Sequence, residues 1–142
     1  MKKLFTFFLF SIALSAVSFA QNAGPVMEFK SNTVDYGVID QGAEPYREFE
    51  FTNKGTEPLL IKNAKGSCGC TVPEYSKNPI MPGETGVLKV RYDTKRVGPI
   101  NKTITVTTNE TANDTKILYV KGEVKKSATE ESVPANKEKG IF

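Results

Sequence analysis

Arg47-Glu48-Phe49-Glu50-Phe51-Thr52 is the stretch that decides the fold of this chain. In an extended strand Arg47, Phe49 and Phe51 face one side and Glu48, Glu50 and Thr52 the other, so a slip of one residue would turn both rings to solvent. The pattern predicts a half-buried strand with Phe49 and Phe51 in the core. Working outward, Asn53-Lys54-Gly55 supplies turn residues, and Leu59 and Ile61 resume the apolar face beyond it. A hairpin-like connection between these two strands is therefore expected.

Further along, Met81-Pro82-Gly83-Glu84 suits a type II turn: proline presets φ at the first central position and glycine accepts positive φ at the second. A strand should start directly after it. Leu88, Val90 and Tyr92 alternate with Lys89 and Arg91. Ile104 and Val106 then alternate with Thr103, Thr105 and Thr107, and Ile117 to Val124 forms a last strand after the polar loop 109–114. No stretch keeps a helical period. Strands near 26–30, 33–39, 46–53, 58–65, 85–92, 100–107 and 116–124 make the domain all-β. About seven strands at this spacing predict an immunoglobulin-like β-sandwich over residues 26–124. The antibody hallmark of a tryptophan packed on a long-range disulfide is absent, because there is no tryptophan and the only two cysteines are Cys68 and Cys70.

The flanks suggest export. Lys2 and Lys3, an apolar run from Leu4 to about Val17, and Ser18-Phe19-Ala20 have the order of a signal peptide over residues 1–20, with cleavage before Gln21. That apolar run is shorter than the roughly 20 residues a membrane span needs, so no membrane span is expected. The mature chain should be periplasmic, or secreted to the cell surface. Residues 125–142 are mostly charged, Ser, Pro and Ala, and should form a disordered tail. Without residues 1–20 the formal charge falls from +3 to about +1, too little to capture nucleic acid or anionic lipid.

Cys68-Gly69-Cys70 carries the most distinctive chemistry. In a regular strand the two Cα atoms would be about 6.6 Å apart, at the edge of disulfide geometry, and a positive φ at Gly69 would bring the sulfurs together. A three-residue loop restricts the unfolded chain by only about 1.6 kcal/mol, so such a bond is a weak staple and is expected to be easily reduced. Four readings stay open: a local disulfide that shapes a loop, a reduced and buried pair, a redox-active or partner-linking pair, and Cu(I) ligation. Lys62 and Lys65 are near enough in sequence to stabilise a thiolate. Zinc wants four ligands and no histidine is present, so only soft Cu(I) fits, with Met81 or Met27 as an added thioether.

Other constellations are weaker. Without histidine the common nucleophile–base triads cannot be built, and no catalytic residue, metal residue or cofactor is assigned. Glu48 and Glu50 read as a solvated strand face rather than a glycosidase pair. Arg91, Lys95 and Arg96, beside Tyr92 and Asp93, form a local basic group suited to an anionic glycan or a partner carboxylate, or to ordinary solvation of a strand end.

Val34-Asp35-Tyr36-Gly37-Val38-Ile39 with Gly42, Phe49 to Gly55 with Pro58-Leu59, Cys68-Gly69-Cys70-Thr71, Pro79-Ile80-Met81-Pro82-Gly83-Glu84 and Tyr92-Asp93 together resemble the exported bacterial domain of unknown function DUF1573. The resemblance covers residues 28–124. It implies an immunoglobulin-like fold similar to domains of ciliary and motile-sperm proteins, and no established activity. The favoured function is a non-catalytic exported module that binds an unknown protein or envelope polymer through its loops or an open sheet edge. Gly69, Thr71, Pro82 and Gly83 would shape its loops. The alternatives are a periplasmic thiol-redox or Cu(I)-binding protein using Cys68 and Cys70, and a structural envelope component.

Overall fold

The computed structural model describes residues 23–128. The expected export signal and all but the first few residues of the expected tail lie outside the described residues. Eight strands form: β1 (Met27–Phe29), β2 (Thr33–Asp40), β3 (Tyr46–Asn53), β4 (Ile61–Gly66), β5 (Thr71–Tyr75), β6 (Thr85–Tyr92), β7 (Gly98–Thr108) and β8 (Thr115–Lys125). They build two four-stranded sheets, ordered β1-β3-β6-β5 and β2-β8-β7-β4. Neighbours are antiparallel except β2 and β8, which run parallel. This is the expected β-sandwich.

The Phe49 and Phe51 alternation sets the register of the first sheet. Phe49 pairs with Leu88 and Phe51 with Gly86, and both rings are 2% exposed. Gly86 leaves the space the Phe51 ring fills, since a Cβ there would run into it. Ile104, Val106, Leu118 and Val120 close the core from the other sheet. Glu48 and Glu50 lie on the solvated face, ion-paired at 3.6 Å with Lys89 and at 3.3 Å with Lys30. All four side chains are more than half exposed, so these pairs contribute little.

Two expectations need correction. The strand count rises to eight because Thr71–Tyr75, outside the expected strands, forms β5, which includes Pro73. Proline is tolerated there because β5 is the outer strand of its sheet and Pro73, opposite Val90, needs no donor on its free side. The connection after Asn53 is not a hairpin, since β3 and β4 belong to different sheets. The chain crosses the sandwich there, and Leu59 forms an isolated bridge to Ile80 before β4 begins at Ile61. Asn53, the first of the expected turn residues, ends β3 and is fully buried.

The Met81–Glu84 turn forms as expected, with Gly83 at φ 82° and Glu84 N donating to Met81 O at 3.0 Å. β6 starts at the next residue.

Tyr36, 4% exposed, packs against Tyr92 with ring centroids 5.9 Å apart, under the guanidinium of Arg47 at 4.5 Å. Its hydroxyl lies 2.8 Å from Pro45 O and 3.2 Å from Val90 O, tying β2 to both β3 and β6. Burial pushes its pKa up from 10.0 to about 12, and the charge of Arg47 offsets only part of that. A raised folded pKa means stability that is complete below the unfolded value and is lost as pH rises towards the folded one. From pH 9 to 11 the protein should therefore lose about 1 kcal/mol through this group. Tyr36→Phe starts lower by about 1 kcal/mol for the missing hydrogen bond but lacks this alkaline loss. Urea titrations of both proteins across that range check the convergence, and parallel curves would disprove it.

Candidate functional site

The Cys68 to Cys70 segment turns the chain from β4 in one sheet to β5 in the other. Thr71 N donates to Cys68 O at 3.2 Å, which closes a four-residue turn. The two Sγ atoms lie at disulfide-bonding distance, with the Cα atoms 5.2 Å apart. The positive φ expected of Gly69 is not adopted; a turn whose two central residues both keep negative φ brings the cysteines together instead. A second glycine is the one that packing requires. A Cβ on Gly66 would overlap the carbonyl oxygen of Thr71, so β4 and the start of β5 meet backbone to backbone.

The two sulfurs have different surroundings. Cys70 is 8% exposed and belongs to the core, whereas Cys68 is half-buried and lines a hollow of about 290 Å³ with Lys65, Gly66, Gly69 and Pro73. Thr71, 2% exposed, places its hydroxyl 3.7 Å from each Sγ. Of the two lysines singled out in the sequence, Lys65 borders this hollow, and Lys62 is exposed at a register shift between Ile61 and Asn63. Neither methionine comes near. Cys70 O accepts from Asp93 N, beside the Pro45–Tyr92 contact at the start of β3, while Met27 pairs with Asn53 at the far end of that strand. Met81 sits in the turn held by Asn53 O. The length of β3, about 20 Å, separates both thioethers from the sulfur pair.

Arg91, Lys95 and Arg96 are exposed at the same end of the sandwich as the cysteines. Asp93 is engaged in its own turn there, accepting from Lys95 N at 3.2 Å through its side chain and from Arg96 N at 3.2 Å through its carbonyl. A shallow hollow of about 220 Å³ beside them includes Arg91, Asp93 and Lys95. It holds charges of both signs and is not a dedicated anion site.

A second feature was not legible in the sequence. β2 pairs with β8 only from Thr33–Tyr119 to Asp40–Lys125, so Thr115 to Leu118 have β7 on one side and no strand on the other among the described residues. The bond from Thr108 N to Asp114 O fixes the alternation, and it turns the backbone groups of Thr115 and Ile117 to the open side. Across the sandwich, β1 has only β3 as a neighbour. Between the two edges lies an open groove of about 540 Å³, lined by Phe29, Lys30, Asn32, Thr115, Ile117 and Leu118 among others. Ile117 is 42% exposed at its rim. Below it Lys116 pairs with Glu110 at 3.1 Å, and Thr108 Oγ1 donates to the other Glu110 oxygen at 2.9 Å, which anchors the loop that leads into β8.

Among curated proteins none matches this sequence. Solved structures share its fold. A protein of unknown function from Porphyromonas gingivalis is similar over 77% of this chain at 19% identity and a TM-score of 0.61, and the chain spans about half (51%) of that protein. PapD-like domain 7 of human CEP192 is similar over 71% of this chain and 86% of its own length, at 8% identity and a TM-score of 0.59. The CupB2 chaperone of Pseudomonas aeruginosa is similar over 74% of this chain and 57% of its own length, at 10% identity and a TM-score of 0.51. Among the described residues no helix is long and apolar enough to cross a membrane. The model of a family of proteins of unknown function matches residues 27–124, nearly the whole sandwich with its Cys68–Cys70 turn, and the chain belongs to that family, DUF1573.

Proposed function

We propose that this chain is an exported, non-catalytic immunoglobulin-like module that binds a protein partner by accepting an extended segment against the open edge of β8. The observation that carries this reading is the first half of β8, Thr115 to Leu118, which is paired with β7 but open on the side where β2 would lie, and which faces a groove that sets Phe29, Ile117 and Leu118 among Lys30, Ser31 and Asn32. Strand addition uses main-chain hydrogen bonds for affinity and side-chain pockets for specificity; this edge turns the backbone groups of Ile117 outward beside the groove, while Thr115 O accepts from the Asn113 amide.

The other edges support the choice by contrast. Free strand edges invite unwanted pairing and are usually blunted. β5 carries Pro73, β4 has a register shift at Lys62, and β2 has one between Asp35 and Val38 around the positive-φ Gly37. β1 has three residues. The open half of β8 has no proline and no register shift, and the charge of its Lys116 is paired with Glu110. Export rests on the Lys2 to Ala20 segment, and a fold similar to this one occurs in the CupB2 chaperone, in keeping with a protein partner.

A photo-crosslinking residue at Ile117, on the groove, and another at Val87, on the outer face of the opposite sheet, test the reading in intact cells. Ile117 should yield a discrete, protease-sensitive adduct and Val87 none. Equal labelling from both positions, no adduct from Ile117, or an adduct that resists protease would overturn it.

A further inference from the structure

Cys68 and Cys70 lie at disulfide-bonding distance but are not equivalent, and the difference assigns them chemistry that a binding module does not need. Cys68 borders the 290 Å³ hollow, while Cys70 is in the core. We propose that the pair is a directional thiol–disulfide exchange site: an external thiolate attacks Cys68 Sγ, and Cys70 Sγ is the leaving group. This is independent of strand addition, which uses the β1–β8 side of the sandwich rather than the β4–β5 turn.

The electron and proton balance is simple. The thiol R–SH loses its proton to water, and R–S⁻ forms a new S–S bond to Cys68 as the Cys68–Cys70 bond breaks. Its electron pair goes to Cys70, which takes up one proton. The product is R–S–S–Cys68 with a Cys70 thiol. A second R–SH then releases R–S–S–R and leaves both cysteines reduced, so one disulfide is reduced for two thiols oxidised. The reductant is a thiol, either a small one or the cysteine of a thiol oxidoreductase, and exchange depends on access to the attacked sulfur and on the leaving thiol.

Access selects Cys68, because an incoming thiolate must approach in line with the bond from the far side of the attacked sulfur. Attack on Cys70 would have to come through the core. Burial by itself disfavours a thiolate on Cys70. The Thr71 hydroxyl, 3.7 Å from that sulfur and itself buried, is placed to donate to the thiolate as it forms. Gly69 keeps the approach open, with nothing within 4 Å of where a side chain would begin. The three-residue loop adds little entropic resistance to opening.

The oxidised full-length chain is incubated with reduced glutathione, quenched with iodoacetamide and digested for mass spectrometry. Glutathione is expected on Cys68 with carbamidomethyl on Cys70; the reverse pattern, an even mixture, or no adduct in the folded protein would overturn the proposal. In guanidinium the selectivity should vanish, which separates a property of the fold from one of the peptide, and selectivity that survives unfolding would count against it. A thioredoxin-fold protein lacking its resolving cysteine forms the second arm. A trapped complex through Cys68 identifies a protein thiol as a competent source, whereas glutathione reaction without it restricts the source to small thiols. Thr71→Val should slow exchange about tenfold, the worth of one hydrogen bond to a charged group, and Thr71→Ser should restore it. Exchange by Thr71→Val at the wild-type rate would remove Thr71 from the mechanism.

Discussion

Asn53→Asp is expected to destabilise the sandwich by more than about 3 kcal/mol at neutral pH, a large share of the roughly 5–15 kcal/mol a domain has. Asn53 is 0% exposed. Its side-chain oxygen accepts from Val26 N at 3.3 Å and Gly55 N at 3.0 Å, and its nitrogen donates to Glu57 O at 2.8 Å and Ile80 O at 2.9 Å. One amide thus joins the lead into β1, the crossing after β3 and the approach to the Pro82-Gly83 turn. Aspartate keeps the two accepted bonds but sets an oxygen against two carbonyl oxygens, with a negative charge out of water. Burial and those carbonyls raise its pKa, so the deficit should shrink as pH falls and the acid form regains one donor. Urea denaturation at pH 7 and at about pH 4.5 reads both effects. A variant within 1 kcal/mol of wild type at neutral pH would show that water replaces the amide's partners.

Asn53 also shows which parts of the structure can be read from sequence. Local chemistry was legible. The Phe49 and Phe51 alternation identified a strand and its buried face, and Pro82-Gly83 identified a turn and the start of β6. Asn53-Lys54-Gly55 likewise marked where the chain bends. Turn residues do not encode which sheet the chain enters next, so the crossing to the second sheet was misread as a hairpin and the burial of the Asn53 amide was not legible. β5, which contains Pro73, lay outside the expected strands. Whether proline is allowed depends on the strand's place in the sheet, which is a long-range property. The open half of β8 is longer-range still, because it exists only where β2 begins late along its neighbour.

Function sites differ in the same way. The cysteine pair was visible as residues, but its asymmetry was not, since the burial of Cys70 depends on the core packed behind β5. Thr71 was named as a loop residue, and its distance to both sulfurs is what gives it a chemical role. Tyr36 drew attention only as part of a family pattern. A tyrosine followed by Gly37 on a strand that otherwise alternates with Asp and Val was the available signal, and its meaning emerged once Pro45 and Val90 were brought to its hydroxyl.

The two glycines flanking this chemistry should respond in opposite ways. Gly66→Ala places a methyl group where the carbonyl oxygen of Thr71 lies, and Thr71 cannot retreat without moving Cys70 out of the core. Neither partner is the flexible end of a side chain. The cost should reach about 3 kcal/mol, the upper part of the range for overpacking, with a matching fall in the denaturation midpoint. Gly69→Ala adds the same atom where nothing lies within 4 Å and φ is not positive, so its change should stay within about 0.5 kcal/mol. The residue between the cysteines is the one whose sequence position suggested a backbone requirement, yet the requirement belongs to the residue two before Cys68. If Gly69→Ala proved the more damaging, the turn would depend on glycine's backbone freedom after all, and the close approach of β4 to β5 would not be what holds the sulfur pair in place.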